Sequence, residues 1–316
     1  MAQQTGNRKN QDAAVITMRK ELAKKIAAHA PLLGENHTPV PGMALYRRTA
    51  PTACVLATYE PSFTVFVQGR KRINLGGTVY VCDETSFLVS SIDVPAESQI
   101  LEASQRIPML SMFFRLDMPT VREIISKEEL PEPMTTVRGR GLAVGKTTAG
   151  LLSACTRLID LLETPDDVPF LGQLILREIV YRVLRSPQGA RLRAIATTGD
   201  LSHRTARAIA WLRANYAKPL RIDELAGVAR MGVSTLHHQF RGLTAMSPLR
   251  YQKQLRLQTA RQRMLVDRID ATSAAYEVGY ESVSQFNREY SRFYGQPPMR
   301  DIKSLRVAGP AAINLA

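Results

Sequence analysis

No run of apolar residues in this 316-residue chain approaches the length that a membrane-spanning helix requires. Met1–Asp12 (MAQQTGNRKNQD) has no apolar centre, so no export signal is expected there. Cysteine is scarce. Cys54, Cys82 and Cys155 lie far apart and make no CxxC pair, which argues against a disulfide framework and for a reducing, cytoplasmic setting. A phosphate-cradling loop is missing as well. Gly76-Gly77 is not followed by Gly-Lys-Ser/Thr, and Gly145-Lys146-Thr147 has Arg140 where the loop's first glycine belongs. Histidine is confined to His29, His37, His203, His237 and His238, and none falls between Met43 and Asp117. Glu60 and Glu84 are too isolated in sequence to form a catalytic carboxylate pair. No cofactor and no metal site is expected from such a set.

Positive charge is what the chain has in excess. The formal net charge is +14, and it is unevenly placed. From Ala190 to Arg306, 20 Lys and Arg face 9 Asp and Glu, while the first 189 residues hold 22 against 19. A localised basic domain points to a polyanionic partner, with nucleic acid the first candidate. A solvated basic face is the alternative. The length suffices for two domains, each with its own core.

The opening dozen residues are polar and expected to be disordered, and Ala13–Ala30 is expected to be helical. Seven β-like runs then follow between Met43 and Leu116: MALYRRT, FTVFVQ, RINLGG, TVYVCD, TSFLVSS, SQILEAS and MLSMFFRL. Gln68-Gly69-Arg70-Lys71 reads as a hairpin turn, and Gly76-Gly77 as another. Short strands at this spacing argue for a small barrel or sandwich. Beyond Met118 the period becomes helical. Leu151, Leu152, Cys155, Leu158, Ile159 and Leu162 make one apolar stripe, and FLGQLILREIVYRVLR carries a second. These two helices either cap the barrel or form a dimer seam. SPQGA (186–190) marks a boundary, and AIATTGDL (194–201) leads into the basic domain.

That domain opens with HRTARAIAWLRANYAKPL, a helix ending before Pro219 with Ala210, Leu212 and Tyr216 among its inward candidates and Trp211 assigned to the core. IDELAGVA follows, with Ile222, Leu225, Ala226 and Ala229 on one face. In VSTLHHQFRGL, a wheel that points Leu236, Phe240 and Leu243 inward places Ser234, His237, His238 and Arg241 between about 100° and 200° away. The result is a short helix, a tight turn and a second helix with a polar outer face, the layout of a helix-turn-helix. Adjacent histidines make poor metal partners, because consecutive helical residues diverge by about 100°. On an outer face they suit the major groove, although solvated histidines on any helix look the same.

The pattern recurs. Ala271, Ala274 and Ala275 repeat Ile222, Leu225 and Ala226 at a shift of 49, and Phe286 and Tyr290 repeat Leu236 and Phe240 at a shift of 50. One extra residue near Gly279 accounts for the difference. In the second unit Phe286, Tyr290 and Phe293 point in, and Ser284, Asn287, Arg288 and Ser291 point out. The connector Pro248–Leu265 would be about 27 Å of helix. That length suits two recognition helices one DNA turn, ~34 Å, apart.

IDELAGVARMGVSTLHHQFRGLTAMSPLRYQKQLRLQTARQRML and YEVGYESVSQFNREYSRFYGQPP resemble the AraC/XylS family of bacterial transcription regulators. The resemblance covers about Leu201–Ile302. It departs from the family pattern at Gly232, where a Ser or Thr N-cap is usual, and at Ala245, where glycine is usual. FTVFVQGRKRINLGGTVYVCDETSFLVSSIDVPAESQILEASQRIPMLSMFFRLD resembles the cupin-type regulatory domain of one subgroup. The lack of histidines in that stretch counts against a metal-dependent cupin enzyme.

The expected architecture is α+β and multidomain. A cupin-like β-barrel with a helical hairpin spans 1–190, an all-α domain with two helix-turn-helix units joined by a long helix spans 191–306, and a tail spans 307–316. The expected activity is that of a non-enzymatic, sequence-specific DNA-binding regulator, an activator working as a homodimer with RNA polymerase and a small-molecule effector. Base contacts fall to Ser234, His237 and His238 in the first unit and to Ser284, Gln285 and Arg288 in the second, Gln285 being added by the resemblance. Arg241, Arg250 and Arg292 are assigned to the DNA backbone. The effector site is unassigned. Cys82 is either a core thiol or a reactive sensor.

Overall fold

The computed structural model describes residues 2–128, 130 and 139–308, with the backbone alone for residues 2–12 and 308. Contacts divide the chain into two compact units, with the division after Thr197. Among the described residues, no helix is long and apolar enough to cross a membrane.

The first unit opens with α1 (Ala2–His29). Residues 2–12, expected to be disordered, continue this helix. They contain no proline, and extending an established helix adds a hydrogen bond for each residue fixed. Among the described residues there are ten strands: β1 (Gly34–His37), β2 (Met43–Arg48), β3 (Val55–Tyr59), β4 (Ser62–Gln68), β5 (Arg70–Leu75), β6 (Thr78–Cys82), β7 (Ser86–Ser90), β8 (Val94–Glu102), β9 (Met109–Arg115) and, after helix α2 (Met118–Lys127), β10 (Leu142–Lys146). The seven runs read from sequence are β2 and β4 to β9. β1 is polar and four residues long, and β10 stands apart from the β-rich stretch.

The strands form two antiparallel sheets, ordered β1-β2-β9-β4-β7-β10 and β3-β8-β5-β6, and the sheets are not closed into a barrel. The Gly76-Gly77 hairpin is present: Leu75 pairs with Thr78, and both glycines have positive φ, 56° and 88°. The hairpin expected at Gln68–Lys71 is not. β4 pairs with β7 and β9, while β5 pairs with β6 and β8, so the chain changes sheets at Gly69. There φ is +80°, and a Cβ would come 2.7 Å from the Glu102 carbonyl oxygen and from Met109 Cα. Only glycine fits that crossing.

One face of the larger sheet is covered by helices. Phe63, Val65 and Val67 on β4 and Leu110, Met112 and Phe114 on β9 share a core with Leu22 and Ile26 of α1. The Phe63 ring lies 5.3 Å from Phe87 and 5.9 Å from Phe114. Helix α3 (Ala149–Asp160) adds its stripe to this core, with Leu152, Cys155, Leu158 and Ile159 fully buried. That stripe therefore caps the sheet. Irregular turns lead to α4 (Gln173–Arg185) and leave Phe170, Leu171 and Leu174 exposed. Helix α5 (Gly189–Ala196) buries Leu192 and Ala196 in the same core, so the boundary expected at residue 190 falls inside a helix of the first unit. Its arginines, Arg191 and Arg193, count with the basic domain in sequence because they follow the boundary expected at SPQGA (186–190). They bond instead to the Gly139 and Leu184 carbonyls.

Among the described residues the second unit has helices and no strand: α6 (Leu201–Ala214), α7 (Ile222–Ala229), α8 (Val233–Thr244), α9 (Pro248–Val266), α10 (Ala271–Glu277), α11 (Val283–Tyr294) and α12 (Pro298–Ala308). On α6 the buried residues are Ser202, Thr205, Ala208, Ile209 and Leu212. Of the expected inward residues Leu212 is fully buried, Tyr216 beyond the helix is partly buried and Ala210 is exposed, and Trp211 is only half-buried. The end of the expected tail, 309–316, lies outside the described residues.

Candidate nucleic-acid interface

Helices α8 and α11 are each 12 residues long and start 50 positions apart. Each buries one apolar face. Leu236 and Phe240 of α8, and Phe286 and Tyr290 of α11, are fully buried. Phe240 meets Tyr251 of α9 edge-on at 5.5 Å. Each helix ends on a residue of positive φ, Ala245 (65°) and Gly295 (77°), and shortly after it a buried proline, Pro248 or Pro298, opens the next helix. The repeat therefore includes the start of α12, which mirrors α9. Ser247-Pro248-Leu249-Arg250 and Pro297-Pro298-Met299-Arg300 are the sequence signal for it.

Burying these residues turns the others outward. Ser234, His237, His238 and Arg241 are exposed on α8, as are Ser284, Gln285, Asn287 and Arg288 on α11. Ser291 and Phe293 are only partly buried. At the shared offset His238 corresponds to Arg288, and Ser234 to Ser284. Arg250 is exposed in the first turn of α9, and Arg292 near the end of α11. Arg250, Arg288 and Arg292 have no acidic partner among the described residues. Arg288 and Arg292 line a shallow groove of about 620 Å³ with Asn287, Ser291 and the start of α12. An exposed, unneutralised arginine pair beside a helix N-terminus attracts an anion.

Other basic residues of this unit serve the fold. Arg261 grips Asp301 with two bonds of 2.8 Å, Tyr290 donates to the same carboxylate at 2.7 Å, and the Arg261 guanidinium lies 4.2 Å from the Tyr294 ring centre. This cluster fixes α11 to α9 and α12. Arg256 donates to the carbonyls of Tyr216, Ala217, Lys218 and Gly279 at 2.8–3.1 Å, binding the turn after α6 to the turn of the second unit. A Cβ on Gly279 would lie 1.9 Å from the Ala217 oxygen, which explains glycine there.

Glu289 belongs to this interface too, although no motif in the sequence singles it out. It receives hydrogen bonds from Lys253 (2.7 Å), Tyr280 (2.9 Å) and the Gln285 amide (3.2 Å). Burial pushes its carboxyl up, but those bonds outweigh burial and hold it below the usual carboxylate range. Gln285, the residue added by resemblance, is thus oriented by Glu289 four positions on. The i, i+4 Gln–Glu spacing is the signal that could have found it.

In the first unit Cys82 is fully buried, and burial pushes its thiol up to about 12. A thiol in that state is protonated and inert at neutral pH. Among the described residues no group of three or more His, Cys, Asp or Glu is placed to hold a metal ion.

Residues 39–191 match a family model described as the AraC-type transcriptional regulator N-terminus, and residues 225–303 match one described as a helix-turn-helix domain. Together they span about three quarters of the sequence, in the order that the two units require. The chain belongs to the AraC family. Members of the family are regulators and not enzymes. Among curated relatives, the transcriptional activator RhaS of Yersinia pestis (strain Pestoides F) is 32% identical over 105 residues. That match covers 33% of this chain and 38% of RhaS. Two solved structures of ToxT from Vibrio cholerae strain SCE256 share the fold of this AraC-family chain. The apo form of a ToxT point variant has a TM-score of 0.53 at 10% identity, covering 84% of this chain and 98% of ToxT. The unsaturated fatty acid-bound wild type has a TM-score of 0.53 at 11% identity, covering 82% and 94%.

Proposed function

We propose that this AraC-family chain is a sequence-specific regulator of transcription that reads double-stranded DNA with α8 and α11. The observation that carries this reading is the duplicated geometry. Two helices of equal length, 50 residues apart, each bury an aromatic-bearing face and expose a polar one. Ser234, His237 and His238 contact bases from α8, and Ser284, Gln285 and Arg288 from α11. Arg241, Arg250 and Arg292 contact phosphates and set the register. Helix α9, 19 residues and about 28 Å long, separates the units by roughly one turn of DNA.

The first unit binds a small-molecule effector and pairs with a second copy of the chain. ToxT, which shares the fold, is described as bound to an unsaturated fatty acid. The exposed Phe170, Leu171 and Leu174 are the apolar surface for pairing, Phe170 at 73% exposure being the most open. The regulator acts in the cytoplasm by engaging RNA polymerase at its target promoter.

The test is a gel-shift series on the preferred site and on scrambled DNA. His238→Ala and Arg288→Ala should weaken the preferred site by about 1–3 kcal/mol and leave scrambled DNA nearly unchanged. Arg241→Ala should weaken both alike and flatten the salt dependence. Equal losses on both DNAs for His238→Ala and Arg288→Ala would remove the base-contact assignment.

A further inference from the structure

We propose that the groove between α1 and the adjoining sheet edges binds an anionic amphiphile, a molecule with one apolar chain and a carboxylate or phosphate head. The proposal rests on the reading of the first unit as an effector domain and gives that effector a place and a chemistry.

The groove has a volume of about 1480 Å³, room for a ligand larger than a sugar. Its floor is apolar, formed by Val15, Ala23 and Ala27 of α1 with Val67 of β4, Leu101 of β8 and Leu110 of β9. Its charge is one-sided. Among the described residues Arg19, Lys20, Lys24, Arg47, Arg106 and Lys146 line it, against two carboxylates, Glu84 and Glu102. Glu102 is already paired with Arg70 at 2.9 Å.

Two of the cations that line the groove, Arg19 on α1 and Arg47 on β2, are half-buried, while the others are exposed. The Nε of each of these two arginines is buried without a hydrogen-bond acceptor. Arg47 donates from one guanidinium nitrogen to the Ala30 carbonyl, 3.4 Å away, and Arg19 has no acceptor at all among the described residues. A buried donor without an acceptor is costly, and an anionic head relieves two at once. The exposed cations Lys20, Lys24, Arg106 and Lys146 add attraction without fixing geometry. A neutral apolar molecule would cover the floor and leave both guanidinium groups unsatisfied. A small polar anion would leave the floor wet. Only a ligand with both parts answers both features.

The experiment uses the full chain and three probes of equal chain length: dodecanoate, dodecyl phosphate and dodecanol, each titrated calorimetrically below its micellar concentration. The expected result is binding of at least one anionic probe at least tenfold tighter than dodecanol. Preference between carboxylate and phosphate identifies the head group. The Arg19→Gln, Arg47→Gln double variant should lose at least tenfold. Should that variant fold poorly, Lys24→Glu with Arg106→Glu, both on exposed positions, should also lose affinity for the anions and not for dodecanol. Dodecanol binding as tightly as the anions, or unchanged binding in a folded double variant, would overturn the proposal. DNA affinity measured with and without probe separates the two readings. Binding in the groove with no change in DNA affinity overturns the effector role and leaves the site. An effector whose binding ignores all four substitutions overturns the site and leaves the role.

Discussion

Ala245 and Gly295 hold the same post at the ends of α8 and α11, both in the left-handed region. Glycine adopts that conformation freely, whereas the alanine Cβ crowds the following carbonyl oxygen. Ala245→Gly should therefore stabilise the protein by about 0.5–1 kcal/mol, read as a higher midpoint in urea without a change in slope. An unchanged midpoint would mean that the gain is offset by the greater freedom of glycine in the unfolded chain. Glu289 yields a pH prediction. Its carboxyl is lowered from the ordinary 4.5 in the folded protein. A lowered carboxylate contributes stability that is complete above its unfolded value and is lost as pH falls through its folded one. The stability gap between wild type and Glu289→Gln should hence be widest above about pH 5 and narrow as pH drops towards 3. A gap independent of pH would show that the carboxylate's charge contributes nothing. Glu289→Ala, which removes the acceptor altogether, frees Gln285 and should relax preference at the base that it reads.

At the scale of elements, the faces of α8 and α11 were legible in the sequence because their large apolar residues recur at three and four positions and the surrounding residues are polar. Periodicity placed Leu236, Phe240, Phe286 and Tyr290 inside, and all four are fully buried. On α6 the signal was diluted by alanines: Leu212 is buried as inferred, but Ala210 is exposed and Ala208 and Ile209 are buried in its place. Strand pairing was less legible. Gly69 has the local chemistry of a turn whether the chain folds back on itself or crosses between sheets, and long-range pairing decides which. β10, between two helices, carries Gly145 because a Cβ there would meet the Phe87 ring at 2.4 Å, a contact invisible without the partner strand. The cluster that anchors α11 also needed the structure, since Arg261, Tyr290 and Asp301 are far apart in sequence. Asp301→Asn leaves the partly buried Arg261 without its counter-charge and should cost about 3–5 kcal/mol. Tyr290→Phe removes one hydrogen bond and should cost about 1–3 kcal/mol. Thermal or urea unfolding of the two variants orders them, and an equal, small loss in both would mean that the cluster is peripheral to stability.

For the whole molecule, charge and architecture divide at the same place. The described residues from 198 onward form a compact unit of their own, with the exposed faces of α8 and α11 on either side of one long connector and a core that includes Leu257, Ala260, Phe286, Tyr290 and their neighbours. The division was expected from the sequence at residue 190; α5, which follows it, buries Leu192 and Ala196 in the core of the first unit. A fragment of residues 198–316 should fold alone and bind DNA as a monomer, and the first unit alone should not bind DNA. If Phe170 and its neighbours pair two copies, full-length protein should hold paired sites more tightly than the fragment does, through effective concentration. The central claim is that one chain reads two successive major-groove segments. The direct measurement is a base-resolution footprint of the 198–316 fragment on its preferred site, repeated with His238→Ala and with Arg288→Ala. Two protected blocks about 10 base pairs apart on one face of the duplex are expected, His238→Ala relaxing base preference in one block and Arg288→Ala in the other. A single block, or both substitutions acting on the same bases, would contradict it.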